Sequence, residues 1–481
     1  MKIRITLLFF FFTINLFAQD FKADYTPFST TNSQSKVIPK IESSYNRDLK
    51  KAKKHQYKKQ VKEIYTTRYE DLMVDVEDGY YISDDDVNDY FNKILEEIFT
   101  KNPTIRNQDI RLLISRSPAP NASCIGEGTI VLNIGLLNRL ENESQIAFVL
   151  CHEIAHYSKN HVNHSISKYV KKRYSRATKQ ELKRISREKY NKTAKALELL
   201  KDFVYDSRRH SRNHEEEADE IALEYLKNTN YDARAAVSCL EILDHIDEEK
   251  YKDALKLKDL FNHSEYPYKE RWGKKEEFMT IEDSEDPKDF NSDSLKTHPA
   301  CQNRKQILAQ LLTNYNEAGH QLFIQDQIWF SNFKTACDFE IVAQSYEYGN
   351  LAYSMFYAIQ LLEKYPDNVF LHATIGKAFY RYEQARNEHK GSKYVPLISN
   401  GIEPPIYDLI LMLNNLRTRE LAKVAYYFLS KTKDQYLSDE DFLFAYYVHS
   451  KRIKKEEEAA ALKELYLDRF PKGRFVSTVG K

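Results

Sequence analysis

The residues that stand out chemically are His152-Glu153-Ile154-Ala155-His156. On a helix, positions four apart share a face, so both imidazoles can reach one metal ion. Glu153 sits about 100° around the helix axis, where a carboxylate can work as general base without being a ligand. The segment that must carry these residues, Ile146 to about Tyr157, is apolar on almost all sides, which predicts a central core helix. Two histidines buried there need polar partners, and a metal satisfies both at once. Asn142, with Gln145 three positions on, is the expected cap of that helix.

A catalytic zinc site takes a third protein ligand and keeps one position open. Arg212-Asn-His-Glu-Glu-Glu-Ala-Asp219 offers one: Glu215, Ala218, Asp219 and Ala222 fall on one side of a helix running to Lys227. The alanines allow close packing, so Glu215 can ligate, while Asp219, one turn later, suits a hydrogen bond to a ligating histidine. Glu216 and Glu217 read as solvated acids at a helix start. Two imidazoles and a carboxylate suit zinc, one ion per chain.

With these motifs in order, the chain resembles the zinc metallopeptidase family that includes HtpX-type heat-shock proteases and CAAX prenyl proteases, over roughly residues 110–310. The resemblance rests on Pro120-Asn121-Ala122, Gly135-Leu136-Leu137, the His152–His156 pentad with His161, Ser211-Arg212 with Glu215 to Asp219, and Thr297-His298-Pro299 with Arg304. It implies a zincin-like (gluzincin) fold, Glu215 as third ligand and Asp219 behind the ligands. It also implies site roles for His298, as oxyanion helper or inhibitory fourth ligand, and for Arg304. His161 reads as a helix-end or supporting residue, not a ligand.

The surrounding elements read as mainly α with a small β-sheet (α+β). Residues 41–75 predict one long helix and 86–100 an amphipathic one. Residues 110–115 and 129–134 predict two strands joined by a loop, for which antiparallel pairing is one arrangement. A strand such as 129–134 is the expected edge for pairing with an extended substrate. Residues 163–213 form a charge run that reads as a solvated face. From about 304 the chain is almost wholly helical, with breaks at Pro366, Gly391, Pro404-Pro405 and Pro471. Residues 339–366 and the helix after Val369 look like tetratricopeptide-type pairs, which stack into a concave binding face.

At 481 residues, two or three domains are expected. The expected division is an export signal at 1–18, a flexible leader and N-terminal helix at 19–75, a metalloprotease domain at 76–310 and a helical-repeat domain at 311–481. Lys2 and Arg4, the apolar run Leu7–Phe12 nearly continued by Ile14–Phe17, and Ala18 give the signal its layout. Export to the periplasm or outside the cell follows. No later segment has the length and apolarity of a membrane span, so the mature chain is expected not to cross one. That departs from the membrane-helical members of the family and favours its soluble envelope branch. Charge is balanced, 72 basic against 71 acidic residues, so composition gives no reason to expect nucleic acid. Five scattered cysteines read as buried free thiols. The expected function is zinc-dependent hydrolysis of peptide bonds in unfolded or misassembled envelope proteins, with an envelope partner held by the repeats. The alternative is a client-binding chaperone or adaptor with a latent zinc site.

Overall fold

The computed structural model describes residues 20–28, 34–106, 108–187, 212–246, 248–275, 301–313, 315, 319–398, 402 and 404–480. The expected export signal and His298 lie outside these residues. The described chain is mostly helical with one three-stranded sheet, an α+β arrangement.

Helices α1 (Gln34–Ala52) and α2 (Lys58–Glu77) pack against each other as a hairpin. The single helix expected over 41–75 is thus broken at 53–57, where the Tyr57 N–H donates to His55 Nδ1 at 3.0 Å. Folding back buries Ile41 with Leu72 and Val76, and Ala52 with Val61 and Tyr65. A straight helix would leave these side chains in water. Residues 20–28, which composition assigns to a flexible leader, are docked instead. Tyr25 and Phe28 are buried, the Tyr25 hydroxyl donates to Glu340 at 2.6 Å, and the Val369 N–H donates to the Ala23 carbonyl at 2.8 Å.

Helix α3 (Asp85–Lys101) starts at Asp84, whose carboxylate accepts from the Val87 N–H at 3.0 Å. Its stripe Val87, Tyr90, Phe91, Ile94, Leu95 and Ile98 is buried. The sheet has β1 (Arg111–Ser115), β2 (Ala122–Cys124) and β3 (Thr129–Asn133) in the order β1-β3-β2. The two strands expected from sequence pair in parallel, Arg111 opposite Thr129, and the short β2 pairs antiparallel with β3. The reason is the connection: residues 116–128 are long enough to cross over, and they contain β2. Gly126 (φ +90°) and Gly128 (φ +113°) then make the turn from β2 into β3, in backbone conformations that favour glycine. The strand expected to offer its edge to substrate is therefore central, with a neighbour on each side. Residues 80–82 cover the outer side of β1, which leaves β2 as the outer strand among the described residues.

Strand β3 runs into the short α4 (Ile134–Leu137) and then α5 (Glu143–Ser158). The Asn142 side chain accepts from the Gln145 N–H at 3.0 Å, and Gln145 Oε1 accepts from the Glu141 N–H at 2.7 Å. Every residue from Glu143 to Ala155 is buried. Next come α6 (His161–Arg173), α7 (Arg176–Arg187), α8 (described over 212–227), α9 (Ala235–Asp244), α10 (Leu257–Phe261) and α11 (Cys301–Leu311).

The remaining helices are α12 (Gln327–Glu347), α13 (Leu351–Lys364), α14 (Val369–Asn387), α15 (Pro404–Asn415), α16 (Thr418–Ser430), α17 (Lys433–Tyr436), α18 (Glu440–Arg452), α19 (Glu456–Arg469) and α20 (Val476–Val479). Helix ends fall at or beside the proline and glycine breaks read from the sequence. Neighbours stack in turn, α12 on α13, α13 on α14, α14 on α16 and α18, and α18 on α19. A continuous apolar cluster joins α3 and α5 to this stack, with Phe330 and Phe333 of α12 at the junction. Among the described residues, no helix is long and apolar enough to cross a membrane.

Candidate metal centre

Three elements build the site. Helix α5 presents His152 and His156 one turn apart, with ring centroids 4.6 Å apart. Helix α8, in which Ala218 and Ala222 are fully buried, meets it through Glu215 and Asp219. Helix α11 supplies Arg304 from behind.

The Nε2 atoms of His152 and His156 lie 3.0 Å apart. Glu215 oxygens are 3.5 Å from His152 Nε2 and 3.3 Å from His156 Nε2. These three residues are the group in which nitrogen and carboxylate donors fall within 4.8 Å of one another among the described residues.

The other ring nitrogens are committed elsewhere. His152 Nδ1 lies 2.8 Å from Asp219 Oδ1 and donates to it, which leaves Nε2 as the nitrogen that faces His156 and Glu215. Asp219 is held in turn by Arg304, whose Nε is 2.6 Å from Oδ2 and whose terminal nitrogen is 2.8 Å from Oδ1. Burial works against the charge on Asp219, but Arg304 and His152 outweigh it and hold the carboxyl below the usual range. Burial alone would push the His152 imidazole down; Asp219 and Glu215 beside it reverse this and raise it to about 10, so without a cation Nε2 also holds a proton, which a metal ion would displace.

His156 has its own support. Its Nδ1 is 3.0 Å from His161 Nδ1, and His161 Nε2 is 3.1 Å from Glu217. Burial pushes the His161 imidazole down to about 4. It is therefore neutral near pH 7, donating to Glu217 and accepting the His156 Nδ1–H. Glu217 is not simply a solvated acid: it accepts from His161 and pairs with Lys159 at 2.9 Å. Sequence reading could not find this link, because only the packing of α8 against the start of α6 brings Glu217 to His161.

Both Nε2 atoms thus face each other and a buried carboxylate, an arrangement that suits a cation taking the place of the His152 Nε2 proton. The donor set fits a zinc ion, with His152, His156 and Glu215 as the residues that would hold it. Glu153 is 2% exposed and makes no hydrogen bond with another described residue, so its carboxylate is uncommitted. Helix α5 packs on β2, and the Cys124 thiol is raised by burial and then by the charge of Glu153. Arg304, expected among the catalytic residues, is 2% exposed and engages Asp219 and, at 3.1 Å, Glu215. Its contacts are to the ligand candidate Glu215 and to Asp219 behind His152, so it positions both carboxylates. His298 lies outside the described residues.

One anchor was not legible in the sequence. Glu143, fully buried at the first turn of α5, accepts from the hydroxyls of Tyr90 and Tyr231 and from the backbone N–H groups of Ile324, Gln325 and Asp326. It ties the metal helix to the segment entering α12.

A buried helix with histidines one turn apart, a carboxylate from a second helix and an ionised aspartate behind one imidazole make a candidate metal site of the His-His-Glu, two-helix class. Residues 85–312 match the profile of peptidase family M48, and this part of the chain is a peptidase family M48 domain. The mitochondrial metalloendopeptidase OMA1 of Arabidopsis thaliana is 31% identical over 144 residues. That match takes in 30% of this chain and spans 28% of the length of the relative.

Proposed function

We propose that the chain is a zinc-dependent endopeptidase that cleaves unfolded or misassembled envelope proteins. The observation that carries the reading is the convergence of His152, His156 and Glu215, with each imidazole already oriented from behind. A zinc ion held there supplies Lewis acidity and lowers the pKa of water at the open position. Glu153 takes the proton of the attacking water and delivers it to the leaving amine. Asp219 and Arg304 fix His152, and His161 with Glu217 fixes His156. An extended substrate pairs along β2, the outer strand, which packs on α5, the helix that carries Glu153. Backbone pairing is tolerant of side chains and suits unfolded substrates.

On the same reading the chain is exported through residues 1–18 and acts in the periplasm or outside the cell. The stacked helices α12 to α19 hold an envelope protein partner in the manner of tetratricopeptide repeats. Metal analysis of the purified chain, with a casein cleavage assay on wild type and Glu153→Gln, tests the activity. The expected result is one zinc per chain in both and cleavage in wild type alone. Cleavage retained by Glu153→Gln refutes its role as base.

A further inference from the structure

The charges of this nearly neutral chain are segregated. Residues 49–62 hold seven lysines and no acid, and residues 168–187 hold nine lysines and arginines against one acid, Glu181. Folding brings these stretches together. Ala52 and Val61 pack with Val170 in one buried cluster, Tyr57 lies against Tyr174 with ring centroids 6.4 Å apart, and His55 Nε2 is 2.9 Å from Ser167 Oγ. The α1–α2 turn and the α6–α7 turn thus form one lobe. Lys53, Lys54, Lys58, Lys59, Lys171 and Arg173 are among its exposed cations.

Helix stability does not account for this pattern. Cations suit helix C-termini, as at the ends of α1 and α6, but oppose the dipole at N-termini. Helices α2 and α7 nevertheless begin with lysines and arginines and no acid, while the acids of α2 gather toward its other end.

We propose that this lobe is a docking surface for an anionic lipid membrane. Twelve of its sixteen cations are lysines, point charges suited to a fluid array of headgroups, whereas a fixed carboxylate or phosphate favours the arginine fork. Tyr169, 53% exposed, stands between Lys168 and Lys171, and an amphipathic ring of this kind sits well at headgroup depth. Helix α6 links the lobe directly to the metal centre, since His161 at its start bonds His156. At 13 residues, the helix holds the centre on the order of 20 Å from the surface. The proposal is independent of the peptidase reading.

The test is co-sedimentation of the chain lacking residues 1–18 with phosphatidylcholine vesicles, with and without phosphatidylglycerol, at low and raised salt. Each lysine near an anionic surface is worth roughly fivefold in partitioning, so the variant K53Q/K54Q/K58Q/K59Q should bind several hundredfold more weakly, about 600-fold if the four contribute independently. K171Q/R173Q/K179Q/K183Q, on the other half of the lobe, should lose binding similarly. K364Q/K390Q/K393Q/K455Q, exposed lysines of the helical stack, should bind as wild type, and raised salt should release wild type. The proposal is overturned if wild type shows no preference for phosphatidylglycerol at low salt, or if the control variant loses as much. Binding to soluble polyglutamate but not to the vesicles also overturns it, and assigns the lobe to an acidic protein.

Discussion

Replacing Asp219 by Asn tests whether the metal site is organised from behind. Asp219 is 2% exposed and receives three donors: His152 Nδ1 at 2.8 Å and two Arg304 nitrogens at 2.6 and 2.8 Å. An amide has one oxygen, so in either orientation its NH2 group faces a donor, and Arg304 loses one of its two anions. Losing the partner that orients a ligating histidine should weaken metal binding about 10- to 100-fold, or about 1.4–2.7 kcal/mol. Leaving the buried guanidinium to Glu215 alone should cost about 3 kcal/mol of fold stability. Competition with a chromophoric chelator reads the first quantity, and urea unfolding of the metal-free protein reads the second. The double variant Asp219→Asn/Arg304→Gln separates them, because it removes the underpaired cation and should recover much of the stability but not the affinity. Wild-type metal affinity in Asp219→Asn would refute the argument.

Three further outcomes are expected. Glu143→Ala should lower the urea midpoint by an amount equivalent to at least about 3 kcal/mol, because it leaves two tyrosine hydroxyls and three backbone N–H groups without their buried acceptor; a change within error would show that water replaces the carboxylate. Gly128→Ala should destabilise by about 1–3 kcal/mol from backbone strain alone, and more because its Cβ would sit 2.1 Å from the Asp109 carbonyl oxygen; an unchanged thermal midpoint counts against a strict need for glycine in this turn. Finally, burial pushes His449 down to about 4 while its Nε2 donates to the Gly376 carbonyl at 2.9 Å. Between the ordinary value near 6.5 and about 4 the unfolded chain binds the extra proton, so stability falls as pH drops through that window, by on the order of 2 kcal/mol at about pH 5. His449→Gln, which keeps a donor but does not titrate, should flatten the dependence, and an equal slope in both proteins would exclude His449 as its source.

Much of the site could be read from local pattern. The i, i+4 histidines, the capped apolar helix and the Glu215–Asp219 face are set by helical periodicity and by the need of buried polar groups for partners. These are short-range rules, and they put α5 and α8 within a few residues of where they lie. The helix breaks of the C-terminal stack followed for the same reason, since proline and glycine act on their own backbone.

What the packing decided lies between distant segments. The parallel pairing of β1 with β3, and hence β2 as the outer strand, depends on how residues 116–128 cross the sheet. The hairpin of α1 and α2 depends on apolar burial that no local window contains. Glu217 reads as a solvated helix-start acid, and nothing local marks Glu143; tertiary contacts gave them His161 and the 324–326 backbone as partners. The charge run at 168–187 likewise became half of a lobe only when α6 met the α1–α2 turn. Residue type and spacing determine which groups can share a helix face; long-range packing determines which faces meet, because burial and pairing energies depend on neighbours far away in the chain.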